Sequence, residues 1–252
     1  MAPRARPFMQ VDVFHSPSIL VSGNPVAVVL DSEGLSTEEM QNYAAWTNLS
    51  ETTFLCPPTD PEKADYKLRI FTVYRELKFA GHPTLGSCRA WLENGGKPKR
   101  QGEIVQECGI GLINIKVDQS SGRLSFAAPE FLREGDVPQS DLAVICDVMG
   151  IKTSDVLASR LIDNGPGWAG ILLKSAQDVL SIKRDNIIKA GDIKWGIVGA
   201  YEKAQARVES GLKGEIMNQD ADADSDDSPH FEVRAFSPRI PGLEDPVTGS
   251  LK

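Results

Sequence analysis

The sequence predicts an α+β protein made of two similar halves, and three observations carry that prediction. Short strands are mixed with a few helices. The order of elements after Ala128-Pro129 resembles the order before it, which divides the chain into domains at 1–127 and 128–252. A short pattern also recurs. Arg69-Ile70-Phe71-Thr72 is followed, after nine intervening residues, by His82-Pro83-Thr84, and Arg234-Ala235-Phe236-Ser237 is followed, after seven, by Asp245-Pro246-Val247. Chance similarity would explain the recurrence. So would a duplicated domain whose two helix N-termini face each other across a cleft.

The elements follow from local pattern. Met9 to Phe14 alternates as a half-buried strand does. Gly23-Asn24 is a turn, and Pro25 to Leu30 is a second strand. Ser36 or Thr37 caps a helix running to about Trp46, and Ser36 with Glu39 has the capping-box spacing. Thr52–Cys56 is a strand stopped by Pro57-Pro58, and Tyr66–Val73 is a strand with Leu68, Ile70 and Thr72 on one face. A helix is predicted over Thr84–Glu93, with Pro83 suited to its first turn and Asn94-Gly95-Gly96 ending it. Short strands follow at 104–106, 112–117 and 124–127. The second half is predicted to hold a helix near Ser140–Met149, a helical turn at Ser154–Leu157, strands at 171–173, 197–201 and 233–236, and the start of a helix at Pro246–Leu251.

Composition excludes several classes. The 252 residues carry 27 Lys plus Arg against 35 Asp plus Glu, a net charge of −8, with no basic stripe for nucleic acid. No apolar run reaches the ~20 residues of a membrane helix, and the N-terminus lacks the apolar core of a secretion signal, so a cytoplasmic protein is expected. Cys56, Cys88, Cys108 and Cys146 form neither a disulfide framework nor a zinc spacing, and read as free thiols. The acidic run Asp220–Asp227 fails the calcium-loop pattern, because Ser225 stands where glycine is needed and Phe231 where glutamate is needed; it reads as a solvated loop. No metal site is expected. No G-x-G-x-x-G follows a strand and no phosphate-binding loop exists, so no organic cofactor is expected either.

Three residues are candidates for chemistry. His82 follows a glycine and opens a helix, where free N–H groups and the positive end of the dipole disfavour an imidazolium and favour a docking anion. A structural loop histidine is the alternative. Asp245 holds the corresponding place in the second pattern, where an ordinary N-cap is the alternative. Glu51 stands between a helix and an apolar strand, where, taken alone, a solvated loop residue is the commoner reading.

Taken together, VDVF with GNPVAVVLD, MQ with NLSETTF, RIFT with ELKFAGHPTLG, DNGPGW, and VRAFSP with GLEDPVTGS occur in order from about Val11 to Ser250. The set resembles the PhzF family, phenazine-biosynthesis-like proteins that share the diaminopimelate epimerase fold. The resemblance implies two similar domains, each a curled sheet around a central helix, with an active site in the cleft between them. It implies Glu51 as the proton shuttle, His82 and Asp245 as its assistants, and the backbone of Gly81, Gly249 and Ser250 as the holder of a substrate carboxylate. The epimerase relatives use cysteines near those helix starts; neither motif here has one there, and Cys88 lies further into its helix. The family pattern runs some tens of residues beyond EDPVTGS, so the second domain is expected to be incomplete at Lys252. The partner this resemblance implies is a second copy of the chain, and the ligand a small carboxylate-bearing metabolite.

The chemistry is self-consistent. Moving a proton from one carbon to another needs a base that becomes the acid a moment later. A carboxyl does both when burial lifts its pKa toward the working pH. Two helix N-termini stabilise the carboxylate and any enolate-like charge. The reading is therefore a cofactor-independent isomerase. A family member that binds a metabolite or partner without turnover, and a dimerising structural protein, are the alternatives.

Overall fold

The computed structural model describes residues 4–15, 19, 21–128, 130–163, 167–212, 229–239 and 242–245. These form two mixed sheets. The first holds β1 (Phe8–Val13), β2 (Asn24–Val29), β3 (Glu51–Cys56), β4 (Tyr66–Phe71), β5 (Glu76–Leu77), β6 (Glu103–Cys108), β7 (Gly111–Val117) and β8 (Leu124–Phe126). Its order is β1-β2-β3-β4-β6-β7-β8, with β5 paired to β4. The pairs β2–β3 and β4–β6 are parallel, and their crossovers carry helices α1 (Thr37–Thr47) and α2 (Gly81–Glu93).

The two helices cover opposite faces of this sheet, which accounts for the sequence pattern. Leu55, Leu68 and Ile70 pack with Cys88 and Ala90 of α2, while Phe54 and Phe71 pack with Met40 and Ala44 of α1. A strand covered on both faces reads as a continuous apolar run rather than an alternation, as Pro25–Val29 does. The α1 capping box is present: Glu39 N–H donates to Ser36 Oγ at 3.1 Å, and Ser36 N–H donates to the Glu39 carboxylate at 2.8 Å. Helix α2 begins earlier than Thr84, so His82 and Pro83 lie inside its first turn. It also lies close on the sheet. A Cβ at Gly86 would stand 2.4 Å from Val26 Cγ1 and 2.9 Å from Val13 Cγ2.

The second sheet holds β9 (Arg133–Gly135), β10 (Val156–Asp163), β11 (Trp168–Leu173), β12 (Lys194–Ala200), β13 (Phe231–Phe236) and β14 (Glu244–Asp245), in the order β14-β13-β12-β11-β10-β9. Helices α3 (Gln139–Met149), α4 (Ala176–Ser181) and α5 (Gln205–Leu212) accompany it. Leu142, Ile145, Cys146 and Met149 of α3 share a core with Ile171, Leu173, Trp195 and Phe236. No helix among the described residues is long and apolar enough to cross a membrane.

Some sequence expectations change here. The helical turn expected at Ser154–Leu157 is a 3-10 turn at Thr153–Asp155, held by Lys152 N–H donating to Asp155 Oδ2 at 2.9 Å, and β10 starts at Val156. A register shift between Val156 and Ala158 breaks the alternation that would have marked that strand. Helix α4, not anticipated, is capped by Ser175, whose Oγ accepts from Asp178 N–H at 3.2 Å. The helix start expected at Pro246–Leu251, and the acidic run Asp220–Asp227, lie outside the described residues.

The repeated pattern is a shared hairpin device. Phe71 pairs with Glu76 across β4–β5, and Phe236 pairs with Glu244 across β13–β14. Arg69 donates twice to Glu76, both at 2.7 Å, with its guanidinium 5.1 Å from the Phe71 ring centre. Arg234 donates twice to Glu244, at 2.7 and 2.9 Å, and lies 4.9 Å from the Phe236 ring centre. The register corrects one correspondence. Asp245 faces Ala235 as Leu77 faces Ile70, so Asp245 matches Leu77 rather than His82. Five residues beyond Leu77 comes His82, five beyond Asp245 comes Ser250, and each follows a glycine, Gly81 or Gly249. Only the loop before the glutamate differs in length.

Gly199 tests the packing of the second sheet. A Cβ there would stand 2.1 Å from the Ser175 carbonyl oxygen and 2.5 Å from its carbon, both rigid backbone. Gly199→Ala must push α4 off β12, and a loss of about 1–3 kcal/mol is expected in urea unfolding. An unchanged midpoint would show that α4 is not seated on β12 in this way.

Candidate active site

Four chain segments converge at one point. Glu51 is the first residue of β3. It is delivered there by the end of α1, where Asn48 adopts a left-handed conformation (φ 56°) and Leu49-Ser50 reverse the chain. Parallel pairing places Glu51 opposite Val26, two residues from Asn24 at the start of β2. His82 lies in the first turn of α2, and its Nε2 is 3.5 Å from Glu51 Oε2. Asp245 arrives on β14, and Asn24 Nδ2 donates to its Oδ1 at 2.6 Å, joining segments 221 residues apart.

The central pair is largely buried. The side chains of Glu51 and His82 are 15% and 5% exposed. Burial, reinforced by the nearby negative charge of Asp245 and opposed by Lys194, pushes the Glu51 carboxyl up to about 8. Burial also depresses the His82 imidazole to about 3, although a hydrogen bond to the Pro25 carbonyl works the other way. At neutral pH the pair is thus a carboxylic acid beside a neutral imidazole. Glu51 Oε2 and His82 Nε2 are both buried without a hydrogen-bond partner. Buried polar atoms are nearly always paired, so two such atoms 3.5 Å apart without a hydrogen bond are unusual.

Helix α2 adds a donor field. Its N-cap is Ala80, with no side chain to satisfy the first-turn N–H groups, and Gly81 to Thr84 are all buried. Such an uncapped, buried N-terminus favours an anion. Cys88 takes no part in this arrangement. It is buried, and burial pushes its thiol up to about 12, so no thiolate is available.

A cavity of about 450 Å³ opens next to Glu51, with Ser50, Lys194 and Ser237 in its wall. Of the DNGPGW segment, Asp163 accepts from Gly167 N–H and from Arg133 Nε, both at 2.8 Å, and so orders another part of that wall.

The structure brings Glu51, His82 and Asp245 together and places Gly81 beside them. Gly249 and Ser250 lie outside the described residues. Two contributors went unread in the sequence. Asn24 stands in the GNPVAVV segment, whose unusual specification was the available signal. Lys194 opens a strand and carries no sequence signal at all.

Comparison with known proteins gives the family and the fold. Residues 11–252 match the family described as phenazine biosynthesis-like protein, PhzC-PhzF. The chain belongs to the PhzC-PhzF family. Among the proteins it is similar to, "Antisense-enhancing sequence 1" of Schizosaccharomyces pombe is 37% identical over 254 residues, which is 96% of this chain and 76% of that protein. An uncharacterized isomerase of Mesorhizobium japonicum is 30% identical, covering 98% of this chain and 78% of the relative. The trans-2,3-dihydro-3-hydroxyanthranilate isomerase of Pseudomonas aeruginosa is 36% identical over 117 residues, 46% of this chain and 39% of that enzyme. The family is thus an enzymatic one whose named members include isomerases. Its fold is shared with the PhzF-family crystal structure from Bacillus anthracis, with a TM-score of 0.69 at 22% identity over 96% of this chain and 75% of that one. The Enterococcus faecalis structure gives 0.64 at 23% identity over 97% of this chain and 78% of that one.

Proposed function

We propose that the protein is an isomerase that moves a proton between two carbons of a small carboxylate-bearing metabolite, with Glu51 as both base and acid. The observation that carries this reading is the buried Glu51–His82 pair, 3.5 Å apart, at the uncapped end of α2. The ionised form of Glu51 takes the proton from a carbon next to the substrate carboxylate. The electron pair delocalises toward that carboxylate, whose charge lies against the N–H groups of Gly81 and the first turn of α2. A C=C bond next to the deprotonated carbon lets the electron pair also reach the far carbon of that bond; Glu51, now protonated, delivers the proton there, and the double bond moves over by one position. His82 stays neutral and fixes the carboxyl orientation, while Asp245, held by Asn24, keeps the Glu51 proton affinity high. Every step uses groups of this chain.

The test is proton exchange in D2O, followed by NMR, with trans-2,3-dihydro-3-hydroxyanthranilate and a panel of small 2-amino and 2-hydroxy acids. The expected result is loss of a carbon-bound proton signal from at least one compound, dependent on Glu51. Exchange that persists in Glu51→Gln would remove Glu51 from the mechanism, and no exchange with any compound would favour a binding protein without turnover.

The pH dependence follows from the same group. Proton removal needs the carboxylate, and Glu51 titrates near 8. kcat/KM is expected to rise about tenfold per pH unit below 8 and level off above it. Asp245→Asn removes the neighbouring negative charge, and the midpoint should move down by about one pH unit. A profile flat between pH 6 and 9 would contradict the assignment.

A further inference from the structure

The cavity beside Glu51 contains more positive charge than the proton-transfer chemistry uses. Arg75, Arg133, Lys194 and Arg239 all line it. Two of them are already engaged: Arg133 with Asp163 at 2.8 Å, and Arg239 with Asp192 at 2.6 Å. Arg75 and Lys194 make no ion pair among the described residues. Lys194 is half-buried at the start of β12, with its ammonium 6.0 Å from the centre of the Trp168 ring. Burial, and then the charge of Arg75, depresses its pKa, while Glu51 and Asp163 oppose the shift without reversing it. An independent observation points to the same space. Ser237 is 1% exposed and lines the cavity, yet its Oγ has no hydrogen-bond partner. Its position is fixed, because its N–H donates to the Leu243 carbonyl at 3.0 Å. Gly81 and His82 do not line this cavity, so it is a different place from the α2 terminus.

We infer that this cavity binds a second anionic group of the substrate, which is therefore a dianion: one carboxylate at the α2 terminus, and a distal carboxylate or phosphate between Arg75 and Lys194 that accepts a hydrogen bond from Ser237. The inference rests on the proton-transfer reading for the identity of the first carboxylate. The space suits a small molecule, since pockets of ~300–1,000 Å³ hold ligands of metabolite size. Two unpaired cations select an anion over a neutral group, and a charge-assisted contact to a desolvated ammonium is stronger than one made in bulk water. Arg75 is exposed at the cavity rim, which suits it to close over the distal group after entry.

Isothermal titration calorimetry at low salt with two matched pairs, glutarate against butyrate and 3-phosphoglycerate against glycerate, tests the inference. The dianion of at least one pair is expected to bind about tenfold more tightly than its monoanion, and the pair with the larger ratio identifies the distal group as carboxylate or phosphate. Lys194→Met and Arg75→Gln should each remove most of that ratio, and Ser237→Ala should reduce it. Arg75 is on the surface, so its variant keeps the test clear of folding effects. Equal or unmeasurable binding of both members of each pair, or a ratio that survives both cation substitutions, overturns the inference. Glu51-dependent deuterium exchange without a dianion preference would leave the proton-transfer reading standing and remove the second subsite. A dianion preference without any exchange would do the reverse.

Discussion

Replacing Glu51 with glutamine is expected to slow carbon-proton exchange by a factor of about 10²–10⁴ while leaving ligand binding nearly unchanged, because glutamine keeps the shape and cannot carry the proton. The same substitution should alter stability in a pH-dependent way. The folded-state pKa of Glu51 is raised from 4.5 to about 8, so the folded protein holds one more proton than the unfolded chain between those values. Stability contributed by this group therefore falls as pH rises from about 4.5 to about 8, and stays low above. At about 1.4 kcal/mol per pH unit, the full cost is on the order of 3–5 kcal/mol. Glutamine does not ionise, so the variant should gain on the parent as pH rises, with the difference growing between pH 5 and pH 9 in urea unfolding. His82 works in the opposite sense, since its depressed pKa adds stability as pH rises from about 3 to 6.5. It is present in both proteins and cancels in the comparison. A pH-independent difference would mean that Glu51 is not the buried acid.

Arg234→Met should lower stability by about 3 kcal/mol, the lower end of the range for breaking a buried pair. Arg234 and Glu244 are 15% and 19% exposed, and the guanidinium also donates to the carbonyls of Val179 and Ile182, at 3.1 and 2.7 Å. Removing it leaves Glu244 with Arg184 at 3.7 Å and loosens the strand that carries Asp245. Catalysis should fall as well. Arg234→Lys should recover little, because an ammonium cannot match a bidentate carboxylate. The equivalent change in the first half, Arg69→Met, should cost only about 1 kcal/mol, because that pair is 22% and 38% exposed and screened by solvent. Equal losses in the two variants would show that burial does not separate the two clamps.

Elements whose cause is local were legible in the chain. Ser36 and Glu39 specify the start of α1 because the partners of both bonds lie three residues apart. Tyr66, Leu68 and Ile70 specify β4 because one face is covered by α2. The second half was harder to read. β10 carries Ser159 and Arg160 within a strand half-buried along most of its length, so neither a period of two nor an apolar run marks it. The candidate site was legible only in part. The motifs named Glu51, His82 and Asp245, but counting residues matched Asp245 with His82, whereas the strand register matches it with Leu77. Loops of different length before Glu76 and Glu244 hide that register from the linear pattern.

By itself, the sequence determined the α+β class, the family, the capped start of α1, the Arg–Phe pattern in both halves and the three acid–base candidates. All of these are set by residue identity and by partners a few positions apart, or by motifs read as a set. Only the tertiary structure decided which of those candidates meet and with what chemistry. It joined Asn24 to Asp245 across 221 positions, set Glu51 against His82, and placed Lys194 where its charge reaches both Glu51 and the cavity. The physical reason is that a proton affinity is a property of surroundings. A glutamate that titrates near 4.5 in water titrates near 8 here because folding removes its water and brings Asp245 close, and no local feature of Asn48-Leu49-Ser50-Glu51 contains that information.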